Sequence, residues 1–241
     1  SEAVASGDSC YLVYMGSAQQ TVTAPAGSIV SSQFSSADLV LPKTVTIGSA
    51  AEEDTKLVFD GNAQDFHMGL DDSADSLTIG LGSTLGTTSH MVFDANGHIT
   101  KPLQSAFLAR TSSPQNNVSI NTTVTFQFQT EVFDQNADYD TSNYTFTAPV
   151  TGRYMFGCML RLDNVDEQAS YYDVRLTTSN RSYQNLTGGD NIEADANIVY
   201  VFSALADMDA NDTATMTLYQ SGGTAQSDLQ NDSTFSGFLA C

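Results

Sequence analysis

The chain holds 241 residues, with 28 acidic and 8 basic side chains and a formal net charge of −20. A surface of that sign repels phosphate backbones, because nucleic-acid binding depends on Lys and Arg displacing counterions, so nucleic acid is excluded as a partner. No apolar run approaches the ~20 residues that cross a bilayer, and no basic segment leads into an apolar one as in a signal peptide. A soluble chain without membrane insertion is expected.

Trp is absent, Tyr and Phe number 10 and 13, and Thr, Ser, Asn and Gly are plentiful, a mixture that favours strands and turns over helices. A mostly β protein in two unequal parts is expected. Residues 1–42 open with the apolar run Cys10-Tyr11-Leu12-Val13-Tyr14-Met15 between Gly7 and Gly16, consistent with a strand buried on both faces. Thr21-Val22-Thr23, the turn Pro25-Ala26-Gly27 and a Ser-rich stretch to Ser36 follow. This segment reads as a β cap or attachment segment.

Residues 43–101 are repetitive. Leu57-Val58-Phe59-Asp60-Gly61-Asn62 returns as Met91-Val92-Phe93-Asp94-Ala95-Asn96, and His67-Met68-Gly69-Leu70 is echoed by Thr78-Ile79-Gly80-Leu81. Short strands, each closed by Gly, Asn or Asp, cannot bury an apolar face alone. Together with Val45-Thr46-Ile47-Gly48, this region resembles the interlaced β shaft of bacteriophage tail fibres, which implies three chains wrapped around one another.

Lys101-Pro102 marks the boundary to a second part, residues 102–241, because Pro interrupts strand pairing. Expected strands are 106–109, 118–128, 143–146, 152–162, 171–177, 198–206, 214–220 and 234–239, separated by turn signals such as Ser113-Pro114, Gly188-Gly189 and Gly222-Gly223. Many strands without a helical period indicate a sandwich or jelly roll.

Phe128, Asp134, Tyr139, Phe146, Gly152, Tyr154 and Phe156 follow one another with five, four, six, five, one and one residues between them. This order and spacing resembles the signature of the complement C1q-like globular heads, relatives of the tumour necrosis factor jelly rolls. Ala106-Phe107 resembles the opening strand of that family and Ser233-Thr234-Phe235-Ser236-Gly237-Phe238-Leu239 its closing one. Cys158 departs from the pattern at a position where the family usually has an aromatic. The resemblance implies an all-β, ten-stranded jelly-roll sandwich that forms a homotrimer. Its fold and trimer core would hold Phe128, Tyr139, Phe146, Gly152, Tyr154, Phe156, Phe235 and Phe238.

Catalytic chemistry finds no support. His67, His90 and His98 lie in the repeat region away from any nucleophile, and Gly82-Ser83-Thr84-Leu85-Gly86 misses a GxSxG elbow by one position. No enzyme is expected. Asp207, Asp209 and Asn211 alternate as calcium ligands do, yet Asp212 stands where the loop needs Gly and Leu218 where it needs Glu. Asp134, Asn136, Asp138 and Asp140 alternate inside the fold motif. No metal is expected from these strings, although related trimeric heads sometimes carry calcium near their apex, which leaves that ion open. Cys10, Cys158 and Cys241 form no disulfide scaffold, and Cys158 shares the parity of Tyr154 and Phe156, as a buried thiol would.

The pairing of a shaft with a trimeric head implies a non-enzymatic virion appendage that attaches to a host-cell surface glycan or protein. Residues 1–42 would meet other virion proteins. Ligand contacts are expected in two polar loops, 180–197 with Tyr183, Gln184 and Asn185, and 222–231 with Gln226 and Gln230. The alternatives are a structural capsid-decoration or tail-joint protein, or a secreted bacterial adhesin.

Overall fold

Apolar alternation with period two becomes strands throughout the computed structural model, which describes residues 43–193 and 196–241. The expected strand at Cys10–Met15 and the attachment segment lie outside the described residues. Gly48–Cys241 forms one compact unit. Apart from a 3-10 turn at Gly189–Asn191, the regular elements among the described residues are all strands.

The first sheet is a five-stranded antiparallel meander of β1 (Thr55–Phe59), β2 (Phe66–Asp71), β3 (Ser76–Leu81), β4 (Ser89–Phe93) and β5 (Ile99–Thr100). Its turns are closed by aspartates. Asp71 Oδ1 accepts from Ser73 Oγ at 2.8 Å and Ala74 N at 3.2 Å, and Asp94 Oδ1 accepts from Asn96 N at 2.9 Å and His98 N at 2.8 Å. The two copies of the sequence repeat fall on β1 and β4. Leu57, Phe59, Met68, Leu70 and Ile99 remain exposed on this sheet.

The remaining strands are β6 (Ala106–Arg110), β7 (Thr123–Thr125), β8 (Thr130–Asp134), β9 (Tyr139–Asp140), β10 (Thr145–Thr147), β11 (Gly152–Val165), β12 (Ala169–Thr178), β13 (Ser182–Gly188), β14 (Ala196–Met208), β15 (Thr213–Gly222), β16 (Asp228–Leu229) and β17 (Thr234–Leu239). They form an antiparallel jelly-roll sandwich. One sheet runs β13-β12-β15-β10-β9 and the other β14-β11-β17-β6-β8, ten strands in all, with β7 added on β15 and β16 on β11.

Between the sheets lies an aromatic cluster. Phe107 stacks on Tyr139 and on Phe146, each at 5.0 Å between centroids. Phe156 stacks on Phe235 at 5.8 Å, and Phe146 meets Tyr154 at 5.5 Å. Leu160, Leu162, Leu176 and Leu218 fill the other end of the core. Two of the buried phenols find acceptors, Tyr154 donating to Val150 O at 2.8 Å and Tyr139 to Phe128 O at 3.3 Å.

Three local expectations are corrected. The strand expected over 118–128 is reduced to Thr123–Thr125, because Asn117 and Asn121 adopt left-handed φ values of 56° and 57° that break the ladder. Its flanks nevertheless bury Val118, Phe126 and Phe128. The strand expected from Asn143 starts only at Thr145, since Tyr144 turns at φ 61°. Within 180–197, expected as one loop, residues Ser182–Gly188 are β13, paired along β12 from Tyr171–Gly188 to Thr177–Ser182.

Candidate functional site

The two sheets of the sandwich present outer faces of opposite chemistry. On β11, the residues Tyr154, Phe156, Cys158, Leu160 and Leu162 point inward, which sends Met155 and Met159 outward. Register carries the same side onto the neighbours. Met155 stands opposite Leu205 and Phe238, and Met159 opposite Val201 and Thr234. Val199, Val201 (73 % exposed), Leu205, Met159, Phe238 (49 %) and Phe133 therefore lie bare on one face. Gly157 and Ser236, opposite each other at its middle, keep the surface low. Exposed apolar side chains gathered on one face mark an interaction site rather than a solvated face.

Among the residues assigned to the core by motif, Phe128, Tyr139, Phe146, Tyr154, Phe156 and Phe235 are buried, and Gly152 is half-buried at the start of β11. Phe238 does not join them inside the protomer. It has the opposite parity to Phe235, so β17 carries it to the outer face among Met155 and Val201. Cys158 is buried, and desolvation pushes its thiol up to about 12, while Cys241 is exposed.

The residues assigned to ligand loops divide. On β13, Gln184 is exposed on the outer side, whereas Tyr183 and Asn185 have the inward parity, Tyr183 packing against the core. Gln226 is exposed in the turn after β15 and donates Nε2 to Asn117 O at 3.2 Å. Gln230 is half-buried, its carbonyl accepting from Thr111 Oγ1 at 2.9 Å. Asp166 organises this turn, accepting at Oδ2 from Thr224 N (2.5 Å) and Ala225 N (2.7 Å) and at Oδ1 from Gln168 N (2.9 Å). Those bonds hold its carboxyl below the usual carboxylate range, the bond from Ala225 contributing most. Gly223, at φ 90°, leaves room for it, since a Cβ there would stand 2.5 Å from Asp166 Oδ2.

The acidic strings do not fit a calcium ion. Asp207 Oδ2 accepts from Arg181 Nη2 at 2.7 Å, Asp212 caps the turn by accepting from Asp209 N at 2.8 Å, and Asp134 accepts from Asp138 N and Tyr139 N at 3.1 and 2.8 Å. Among the described residues no three His, Cys, Asp or Glu side chains gather as a metal-binding group. A cavity of about 360 Å³ opens between β4 and the end of β17, lined by His90, Lys101, Gln104, Leu239 and Cys241.

An antiparallel jelly roll with an aromatic interior between its two sheets is the architecture of a globular head. Residues 106–240 match the C1q domain, more than half of the chain, and the chain belongs to that family. No curated protein matches it. Among solved structures, it is similar to the globular domain of zebrafish complement 1qA protein, at 19 % identity over 57 % of this chain and 98 % of that one, with a TM-score of 0.43. Murine APRIL follows at 12 % identity, 56 % and 98 % coverage and a TM-score of 0.40. The vertex protein P5 of PRD1 gives 11 % identity, 57 % and 97 % coverage and a TM-score of 0.40. C1q domains are generally extracellular, typically non-enzymatic binding modules that commonly form homotrimers. Among the described residues no helix is long and apolar enough to cross a membrane.

Proposed function

We infer that this chain is the subunit of a homotrimeric virion appendage, non-enzymatic, whose C-terminal head attaches the particle to a glycan or protein of the host-cell surface. The observation that carries the reading is the apolar outer face of the β14-β11-β17-β6-β8 sheet. Val201, Leu205, Met159 and Phe238 gain hydrophobic stabilisation when another surface covers them, and three copies packed about an axis cover them symmetrically. The meander over 55–100 supports the same stoichiometry, because its exposed Leu57, Phe59 and Ile99 also gain cover from neighbouring chains. The domain organisation is then an attachment segment over 1–42, a shaft over 43–101 and a head over 102–241, at the virion surface, with residues 1–42 meeting other virion proteins.

Three heads present three copies of each surface, so weak contacts with a repeated host ligand gain avidity through effective concentration. Soluble full-length protein in excess should compete with the particle for adsorption to host cells. Unchanged adsorption, with imaging that places the protein on the capsid wall, would favour the second reading, a capsid-decoration or tail-joint protein whose head only registers the trimer.

A further inference from the structure

The outer face of the β13-β12-β15 sheet carries a polar and aromatic group that neither the core nor the apolar face uses. Strand register builds it. Asp173 stands opposite Tyr219 and Leu186, and Arg175 opposite Thr217 and Gln184, while the alternate residues Tyr172, Val174, Leu176 and Leu218 fill the core. The Tyr171 and Tyr219 rings stack with centroids 6.1 Å apart and planes at 29°. Arg175 donates Nε to Asp173 Oδ2 at 2.7 Å and Nη2 to the same oxygen. With its oxygen toward the guanidinium, the Gln184 amide accepts from Arg175 Nε at 3.1 Å and Nη2 at 3.3 Å.

Stability does not explain the group. Asp173 is 1 % exposed although it sits on the solvent side of the sheet, and withdrawing a carboxylate from water is costly. The bonds that offset this cost reach only Oδ2. Asp173 Oδ1 and the neighbouring Thr217 Oγ1 are buried with no hydrogen-bond partner in the protein, and a buried polar atom left unpaired is destabilising. Apolar residues of the same volume would serve the fold better. The arrangement instead fixes the Arg175 fork beside two aromatic faces, which is what a ligand site requires of its supporting residues.

We propose that Tyr171, Arg175, Gln184 and Tyr219, with Asp173 as the positioning residue, bind a neutral pyranose sugar of a surface glycan. The proposal names site and ligand class for the attachment reading and rests on it. A pyranose has an apolar C–H face that lies on tyrosine rings and hydroxyls at its rim that meet fixed polar groups. The guanidinium donates from a rigid geometry, and the amide both donates and accepts. Charge selects the neutral sugar, since the ion pair cancels locally and the chain's net −20 repels sulfated or phosphorylated glycans. A protein partner would call for an apolar centre, whereas Thr215, Thr217 and Ser221 share this side of the sheet, with Leu186 at one edge.

The test uses the full-length chain and four probes, maltohexaose, mannohexaose, cellohexaose and chitohexaose, read by tyrosine fluorescence, which no Trp obscures, and by saturation-transfer NMR. At least one probe should bind saturably with a Kd in the millimolar range or below. Tyr219→Ala and Arg175→Met should each weaken binding about tenfold or more, corresponding to 1.4 kcal/mol, and Tyr219→Phe should retain most of it. Sedimentation and circular dichroism verify that each variant keeps its assembly and fold. Absence of saturable binding by all four probes, or equal binding by Tyr219→Ala and Arg175→Met, overturns the site. An adsorption competition separates the two readings. If wild type and Tyr219→Ala block adsorption equally, attachment stands and this site falls. If wild type binds a probe through these residues yet blocks nothing, the site stands and host attachment falls.

Discussion

Gly237 lies opposite Phe156 across the β11–β17 ladder, and a methyl group added to it would stand 2.6 Å from the Phe156 ring and 2.8 Å from Phe107. The glycine is what lets three aromatic strands close over one another. Both rings are buried against Phe235 in the close-packed interior. Gly237→Ala should therefore destabilise the head by about 1–3 kcal/mol through overpacking, seen as a lower denaturation midpoint in urea with an unchanged slope. Phe156→Ala removes the ring instead and should cost about 3–5 kcal/mol.

Val201 and Phe238 face the same way on either side of β11, and both are exposed in the isolated protomer. A charge at either position is harmless to a monomer but costly in a covered interface. The double variant Val201→Glu, Phe238→Glu should retain its β circular dichroism and sediment as a monomer. The wild-type melting temperature should rise with protein concentration, as mass action requires of a dissociating assembly, and that dependence should vanish in the variant.

The Cys158 thiol, held up to about 12 by burial, is ionised on the order of 10⁻⁴ at pH 8. Iodoacetamide applied to the native protein at that pH should label Cys241, which is exposed, and leave Cys158 unmodified until denaturant is added. Peptide mass spectrometry distinguishes the two. Linkage gives a second readout. The unfolded thiol ionises first, so the contribution of Cys158 to stability is complete below its ordinary pKa and is lost as pH rises toward 12. Cys158→Ala should flatten that alkaline limb.

Asp166 behaves in the opposite sense. Its folded pKa is depressed by the backbone bonds from Ala225, Gln168 and Thr224, so its contribution is complete above the ordinary carboxylate value and is lost as pH falls through the depressed one. Asp166→Asn should lower the melting temperature at pH 7 and lose less on acidification than wild type. Hydrogen exchange should locate the difference in the 222–227 turn.

The fold was legible in the sequence where residue type and chain geometry point the same way. Tyr154, Phe156, Phe235 and the glycines at 152 and 237 alternate with period two, so β11 and β17 could be placed within a few residues. The stretch 118–128 misled because its apolar content belongs to the core while its asparagines at 117 and 121 deny it a ladder. Composition reports burial there, not pairing. The apolar face was also partly readable, since Ile198 to Phe202 is apolar at both parities, the mark of a strand covered on both sides. Its neighbour on β17 was not, because assigning Phe238 to the outside requires the register with Met155. The group around Asp173 was least accessible of all. Tyr171 and Tyr219 are brought to Gln184 only by two independent strand pairings, so a reading by loops named Gln184 together with Tyr183 and Asn185, which share β13 with it but face inward.

Sedimentation equilibrium of the 241-residue chain at micromolar concentration tests the central claim, that the bare face of the β14-β11-β17-β6-β8 sheet is covered by two further copies. The account predicts a single species of three times the 25.7 kDa chain mass. A stable 25.7 kDa monomer with full β-sheet circular dichroism would contradict it.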